Sequence, residues 1–542
     1  MGRRNYIDID WPELLELIDG LDQEKLNRIR INREVIPIIF VPGIMGSRLK
    51  NKNSGERVWD PDREIMCMLM KYGGAWNSPA QRKRMLIGER FEPEYLVVDR
   101  DNPDHNKKFY TSEDPGRAKR GWGGVYWGSY GRFLEQLQNH DWEVPLQPSE
   151  KPGIKDLVGY CFEFPVHAFG YNWTDSNFNS GEKLAEEIDS VIWRYRKKER
   201  MCNHVILVSH SMGGLVCRSA CKLHDAEKKV LGVIHGVQPA TGAAAAYWRM
   251  KAGFERTGGG LLSSLNSKVS AWVLGTNGEE VTCILANSPG GLELLPNQHY
   301  TDNNGNAGWL HIPVKGGTEL VLPKNGDPYE EIYRIKSQKF WRLIRPDWLS
   351  PTDKALTTED RYGNEKSAWG EYLRCLKKAK SFHTKLNKLC HRTTYHFFSS
   401  NLKTVDQISF KDEELRSWSE YKAATDAGGI PYYIEKTYSH QLSSRGSCVI
   451  YANEAGDEFT SPPADTDGLR VFTMTHPEQF RGGGDGTVPQ SSGFALAGEA
   501  DSFKLLGVDH QSVFEDQIAV TFVYSTIINI AAELIEANRV TC

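Results

Sequence analysis

Three short stretches of this 542-residue chain carry residue types that together could transfer an acyl group. Ser211 sits in the pentad SHSMG (209–213), between the apolar run Val205 to Val208 and the helically spaced Leu215, Val216, Ala220 and Cys221. A strand that turns sharply into a helix would leave the Ser211 hydroxyl exposed at its end. The oriented N–H groups and positive dipole end of that helix favour an oxyanion beside it. Asp485 lies in RGGGDGTVP (481–489), a glycine-rich loop whose backbone N–H groups can fix a carboxylate. His510 ends LLGVDH (505–510), just past an apolar strand. Serine needs a base to take its proton, a carboxylate to orient that base, and donors for the developing oxyanion.

The pentad departs from G-x-S-x-G only in Ser209, which is still small enough for the crowded turn of a nucleophile elbow, and the order Ser, Asp, His is that of α/β hydrolases. Each assignment has a plainer rival. A strand–turn–helix can carry an incidental serine. Asp-Gly is a common turn pair, so Asp485 can be read as a turn stabiliser with Asp406 the next acid, and His510 as a structural histidine. His235 and His476 are weaker rivals, because no carboxylate loop of the right order precedes them. His210 is too near Ser211 in sequence to be its base and is expected to pack behind the elbow. The DNNGN run (302–306) lacks the closing Glu of a cation loop, so no metal and no cofactor are expected.

The elements needed to position these groups are legible as alternating strand and helix. Val35 to Val41, Val205 to Val208, Val230 to His235 and Thr394 to Ser399 read as strands. Stretches near 130–139, 181–198, 366–389 and 516–537 read as helices, the last with a wide apolar surface suited to packing on a sheet. This is a mostly parallel α/β sheet flanked by helices. Residues 1–34 are expected to form a helical extension, with Leu14, Leu15, Leu17 and Ile18 on one short amphipathic helix. Residues 35–542 would be the catalytic domain, with lid or cap insertions at about 50–128, expected to be irregular, and at about 239–390.

The net charge of −4 and the lack of a sustained basic block argue against nucleic acid as a partner. The N-terminus has positive charge but no apolar core of a secretory signal, and no run of 18 apolar residues suggests a transmembrane helix. The chain is therefore expected in the cytoplasm at synthesis, with export by a signal-independent route compatible with the sequence. Ten cysteines without a C-x-x-C pair read as buried reduced thiols.

Five motifs in order, VPGIMGS (41–47), HSMGG (210–214), SPGGLELLP (288–296), GDGTVP (484–489) and VDH (508–510), make the chain similar to the lecithin:cholesterol acyltransferase-like family, which includes lysosomal phospholipase A2. The resemblance covers islands spread over most of the chain. It implies an α/β-hydrolase fold, Ser211 as nucleophile, Asp485 as orienting acid, His510 as base, and the backbone N–H groups of Ile44 and Met212 as oxyanion donors. It further implies acyl-ester lipids as substrates near a membrane surface, reached by apolar flaps. The best-placed apolar insertions contain Met66, Met68, Leu69, Met70 and Trp76, then Tyr247, Trp248 and Phe254; Met-rich segments adapt to irregular acyl chains, though a core-facing helix would look alike. The first insertion holds only Cys67, so the disulfide-closed loop of the family's secreted members lacks a second cysteine and their sterol specificity does not carry over. The expectation is a phospholipase or lipase acting through a Ser211 acyl-enzyme. Alternatives are transfer of the acyl chain to another alcohol, an antibacterial lipase effector with an inhibitory or delivery protein partner, and a non-catalytic membrane- or partner-binding module on a hydrolase scaffold.

Overall fold

The computed structural model describes residues 7–12, 29–62, 78–89, 91–100, 116–144, 153–253, 275, 277–314, 316–351, 358–413, 448–458, 470–474 and 483–541. Its centre is a six-stranded sheet: β1 (Ile38–Val41), β2 (Val166–Ala168), β3 (Val205–His210), β4 (Val230–Gly236), β5 (Thr394–Ser399) and β6 (Asp501–Leu505). The order is β6-β5-β4-β3-β1-β2 and every neighbouring pair is parallel. β1, β3 and β4 are buried on both faces, which explains why they read as continuous apolar runs rather than alternating ones, whereas the edge strand β6 is largely exposed.

Successive side chains nevertheless go to opposite faces. Ile39, Val41, Val205, Leu207 and Val233 enter one core cluster, with Leu184 and Ile188 of α2 (Asn177–Arg196) and Leu215 and Val216 of α3 (Gly213–Leu223). Ile38, Phe40, Ile206, Val208 and Ile234 enter the other, with Phe133 and Leu134 of α1 (Trp127–Gln138) and Val523, Ile527 and Ile530 of α6 (Gln517–Thr541). Over Gln517–Asn538, α6 is long and apolar enough to suit a membrane span, with mean hydropathy 1.8, which corrects the reading that no segment is. Here its apolar stripe covers the sheet while Thr521, Ser525, Glu533 and Glu536 face solvent.

Outside the sheet, expectation and structure diverge in instructive places. At the N-terminus, Ile7–Asp10 and Ile29–Asn32 are paired parallel strands, consistent with the period-two placing of Ile7, Ile9, Ile29 and Ile31. The expected helix over Leu14 to Ile18 lies outside the described residues. Trp11 is buried against Phe162 and donates to Glu34, tying this segment to the main body. The insertion expected to be irregular holds a three-stranded antiparallel sheet (Leu49–Asn51, Arg57–Trp59, Leu96–Val98) and a helix, Pro79–Leu86, closed by a Ser78–Gln81 capping box. The cap region reaches past residue 390: Leu310–Pro313 and Glu319–Leu322 join Ile408–Glu413, Cys448–Ala452 and Arg470–Met474 in a five-stranded sheet. Helix α4 (Ala244–Ala252) and the long α5 (Thr358–Leu386) complete that side.

Candidate active site

Strand β3 delivers Ser211 into a sharp turn, and α3 starts two residues later. Ser211 has φ +50°, a left-handed conformation unfavourable for a residue with a Cβ and held here by the surrounding packing. Its N–H is bound to Gly236 O of β4 at 2.9 Å. Gly213 must be glycine: a Cβ there would lie 2.4 Å from Val41 O and 2.5 Å from Pro42 O. Ser209, the departure from the pentad pattern, is tolerated because its Oγ turns away into the sheet, 2.7 Å from His235 Nδ1.

The three side chains separated by hundreds of residues meet at the C-terminal edge of this sheet. His510 Nε2 lies 2.8 Å from Ser211 Oγ, and His510 Nδ1 lies 2.7 Å from Asp485 Oδ2. A carboxylate beside Nδ1 places the ring proton there, so Nε2 presents its lone pair to the serine hydroxyl. Asp485 is itself held: Oδ1 accepts the N–H groups of Thr487 (2.9 Å) and Val488 (2.6 Å), and its carbonyl accepts His510 N–H at 2.9 Å. All three side chains are buried, Ser211 being 4% exposed. Their loops are braced from outside, since Thr404 Oγ1 accepts Gly486 N–H and Asn303 bonds both Gly483 O and Ser491 N–H.

Met212 follows Ser211 in the chain and Ile44 lines the same cleft as Ser211, and neither amide donates a backbone hydrogen bond among the described residues. The cleft, of about 150 Å³, has Ser211 and His510 in its wall and is otherwise lined largely by Ile44, Met45, Trp59, Ala243, Ala245, Ala246, Leu285, Leu294 and Val488. Arg249 is the only Lys, Arg, Asp or Glu side chain among the described lining residues.

The rivals take other places. Asp406 accepts Asn303 N–H rather than approaching His510, and His235 is wholly buried, bonded to Ser209. His476 lies outside the described residues. Asp302 Oδ1 accepts the N–H groups of Asn304 and Asn306, an ordinary turn. Of the expected lipid-facing residues, Met66, Met68, Leu69, Met70, Trp76 and Phe254 lie outside the described residues. Tyr247 and Trp248 require correction: both are wholly buried, with Tyr247 Oη donating to Trp341 O at 2.6 Å and its ring edge-on to Trp309. The large rings of α4 go to the core, and the small Ala243, Ala245 and Ala246 leave room for the cleft. His210 also does more than pack, being hydrogen-bonded through both ring nitrogens. Sequence reasoning passed over Tyr130, whose only signal was a place in a predicted helix. It also passed over Arg48, buried one residue beyond VPGIMGS and bonded to Asp60, Asp99 and Gly123 O.

The fold is that of an α/β hydrolase, and comparison with known proteins agrees. Residues 170–257, which run from before α2 through β3, Ser211 and β4 past α4, match the model of the PGAP1-like alpha/beta domain family. A chain in the crystal structure of the Tle4–Tli4 complex is similar over 92% of this chain and 99% of that one, with a TM-score of 0.67 and 26% identity. Comparison with curated proteins found no match. The protein is thus an α/β hydrolase of the lipase and esterase class. These comparisons support the α/β-hydrolase part of the likeness read from the five motifs and do not single out the lecithin:cholesterol acyltransferase relatives.

Proposed function

We propose that this protein is a serine-dependent phospholipase that cleaves acyl esters of glycerophospholipids through a covalent Ser211 intermediate. The observation that carries the reading is the Ser211–His510–Asp485 chain of 2.8 and 2.7 Å contacts at the wall of an apolar cleft. Ser211 Oγ attacks the ester carbonyl as His510 Nε2 takes its proton, and the Asp485 carboxylate stabilises the imidazolium. The carbonyl oxygen, now an oxyanion, receives the N–H groups of Ile44 and Met212. His510 returns the proton to the departing lysolipid oxygen, and water activated by the same base releases the fatty acid.

Substrate class follows from the walls. Each buried CH₂ contributes about 0.8 kcal/mol, so an apolar cleft selects acyl chains. A guanidinium in such a wall suits a phosphate, which it can bind with paired charge-assisted hydrogen bonds. Leu506 and Ile518, on either side of His510 in the chain, are large apolar residues 69% and 61% exposed, which supports work at a lipid surface. Mass spectrometry after incubation with defined phospholipids tests this beside Ser211→Ala and His510→Ala. Free fatty acid plus lysolipid, lost in both variants, is expected. An acylated acceptor would instead assign acyl transfer, and turnover of short soluble esters alone would assign a general esterase. Arg249→Gln should lower turnover of phospholipid more than that of neutral diacylglycerol; equal losses would remove the phosphate assignment.

A second reading concerns deployment. The likeness to Tle4, solved in complex with Tli4, supports an enzyme turned against another cell's membranes and restrained by a dedicated protein partner. Expression directed to the periplasm of a bacterial host should arrest growth with Ser211 intact and spare it with Ser211→Ala. Arrest by both would favour a non-catalytic module.

A further inference from the structure

The loop expected to supply one oxyanion donor holds two glycines, Gly43 and Gly46, on either side of Ile44, so something must fix the direction of its amides. Two consecutive peptide units decide it. In the first, Pro42 O accepts the hydroxyl of Tyr171 at 3.0 Å and Gly43 N–H donates to Tyr130 Oη at 3.3 Å, so a tyrosine grips each end of one rigid plane. In the second, Gly43 O accepts Gly46 N–H at 3.1 Å. Because a trans peptide points its C=O and N–H in opposite directions, this bond turns the Ile44 N–H the other way, leaving it without a backbone acceptor.

Tyr130 can accept from Gly43 only with its own proton directed elsewhere, and His210 takes it. Tyr130 Oη lies 2.8 Å from His210 Nδ1, and His210 Nε2 lies 2.8 Å from His510 O. A carbonyl oxygen has no proton to give, so Nε2 carries the hydrogen and Nδ1, in a neutral ring, is left as acceptor. Burial holds the ring neutral, its pKa pushed down to about 3. The run is therefore directional: Gly43 N–H to Tyr130 oxygen, Tyr130 O–H to His210 Nδ1, His210 Nε2–H to the carbonyl of His510. The fit is close at both glycines. A Cβ on Gly43 would lie 3.0 Å from His210 Nδ1, and one on Gly46 would lie 2.9 Å from Tyr130 Oη.

We propose that Tyr130 and His210 are positioning residues of the oxyanion site, a buried relay that aims the Ile44 amide and ties its loop to the loop of His510. This rests on the Ser211 hydrolase reading and deepens it. The relay gives the residue before the nucleophile a task that its closeness to Ser211 denies it as a base. It also explains why the oxyanion loop approaches an aromatic hydroxyl through two glycines.

The test uses the full chain, with hydrolysis of p-nitrophenyl butyrate and inhibition by butylboronic acid, whose tetrahedral adduct on Ser211 puts an oxygen in the oxyanion position. Losing an oxyanion donor costs about 10²–10³ in turnover, so a donor left in place but misdirected should cost roughly tenfold or more. Tyr130→Phe, which keeps the ring and removes the hydroxyl, should lower kcat by about that factor with KM nearly unchanged, and weaken the boronate in parallel. His210→Leu should do the same. His210→Gln, with an amide N–H for His510 O and an amide oxygen for Tyr130, should recover much of the loss. If His210→Leu does not fold, Tyr130→Phe and His210→Gln still decide, with thermal midpoints checking their folds. Parent-like kcat and boronate affinity in Tyr130→Phe, or a fall confined to KM, would overturn the relay, as would His210→Gln recovering no more than His210→Leu. Turnover that survives Ser211→Ala would overturn the hydrolase reading itself, a separate outcome.

Discussion

Replacing Asp485 by asparagine tests the arrangement most sharply, because the surrounding loop dictates how the new amide must sit. Asp485 Oδ1 receives two backbone N–H groups, from Thr487 and Val488, at 2.9 and 2.6 Å. An NH₂ group there would face two donors, so the introduced side chain must keep its oxygen at that position and turn its NH₂ toward His510 Nδ1. That nitrogen must then offer a lone pair, which moves the imidazole proton to Nε2, facing Ser211 Oγ at 2.8 Å. The ring is left in the wrong tautomer and cannot take the serine proton. In the serine-protease triad the equivalent change lowers kcat by about 10⁴ with geometry intact, or about 5.5 kcal/mol of barrier, and a similar loss is expected here. Steady-state kinetics on a soluble ester and fatty-acid release from phospholipid vesicles measure it, with circular dichroism and a thermal midpoint establishing that the fold is kept. Asp406→Asn serves as the control and should retain most turnover. An Asp485→Asn enzyme within tenfold of the parent, or a larger loss in Asp406→Asn, would refute the assignment.

Other consequences follow from packing and ionisation. Gly213→Ala forces a methyl against Val41 O and Pro42 O, and should cost about 1–3 kcal/mol in a denaturant titration together with most activity; an unchanged midpoint would mean the elbow is looser than described. Glu293, wholly buried while accepting from Ser176 and Asn177, has its carboxyl pushed up from 4.5 to about 8 by burial. The native chain then holds a proton that the unfolded chain has lost, so this group's stabilisation is complete below pH 4.5 and disappears as pH rises through 8. Unfolding free energies of the parent relative to Glu293→Gln should fall across that window, and a flat or rising difference would show the carboxyl ionised in the fold. Leu506→Glu with Ile518→Glu should reduce turnover of vesicles far more than of a short soluble ester, whereas equal losses would place those side chains in structural rather than interfacial roles.

What the sequence determined by itself was whatever is written into local covalent and steric demands. A strand–serine–helix junction with Gly213 behind it admits few other conformations, and a glycine-rich loop around Asp485 supplies N–H groups whatever surrounds it. The apolar runs of β1, β3, β4 and β5 are visible because strands covered on both faces must be apolar throughout. Tertiary structure decided the questions in which the partner lies far along the chain. Whether α4 turns Tyr247 and Trp248 or its alanines to the cleft depends on where Trp309 and Trp341 pack, because its two charged residues, Arg249 and Lys251, lie on different sides of the helix and do not declare one outward face. The pairing of Ile7–Asp10 with Ile29–Asn32 is likewise a contact between distant short segments. Tyr130, Tyr171 and His210 are ordinary residues in ordinary elements until folding brings their polar atoms to the two peptides beside Ser211. A hydrogen bond is specified by the positions of both its ends, and sequence supplies only their identities.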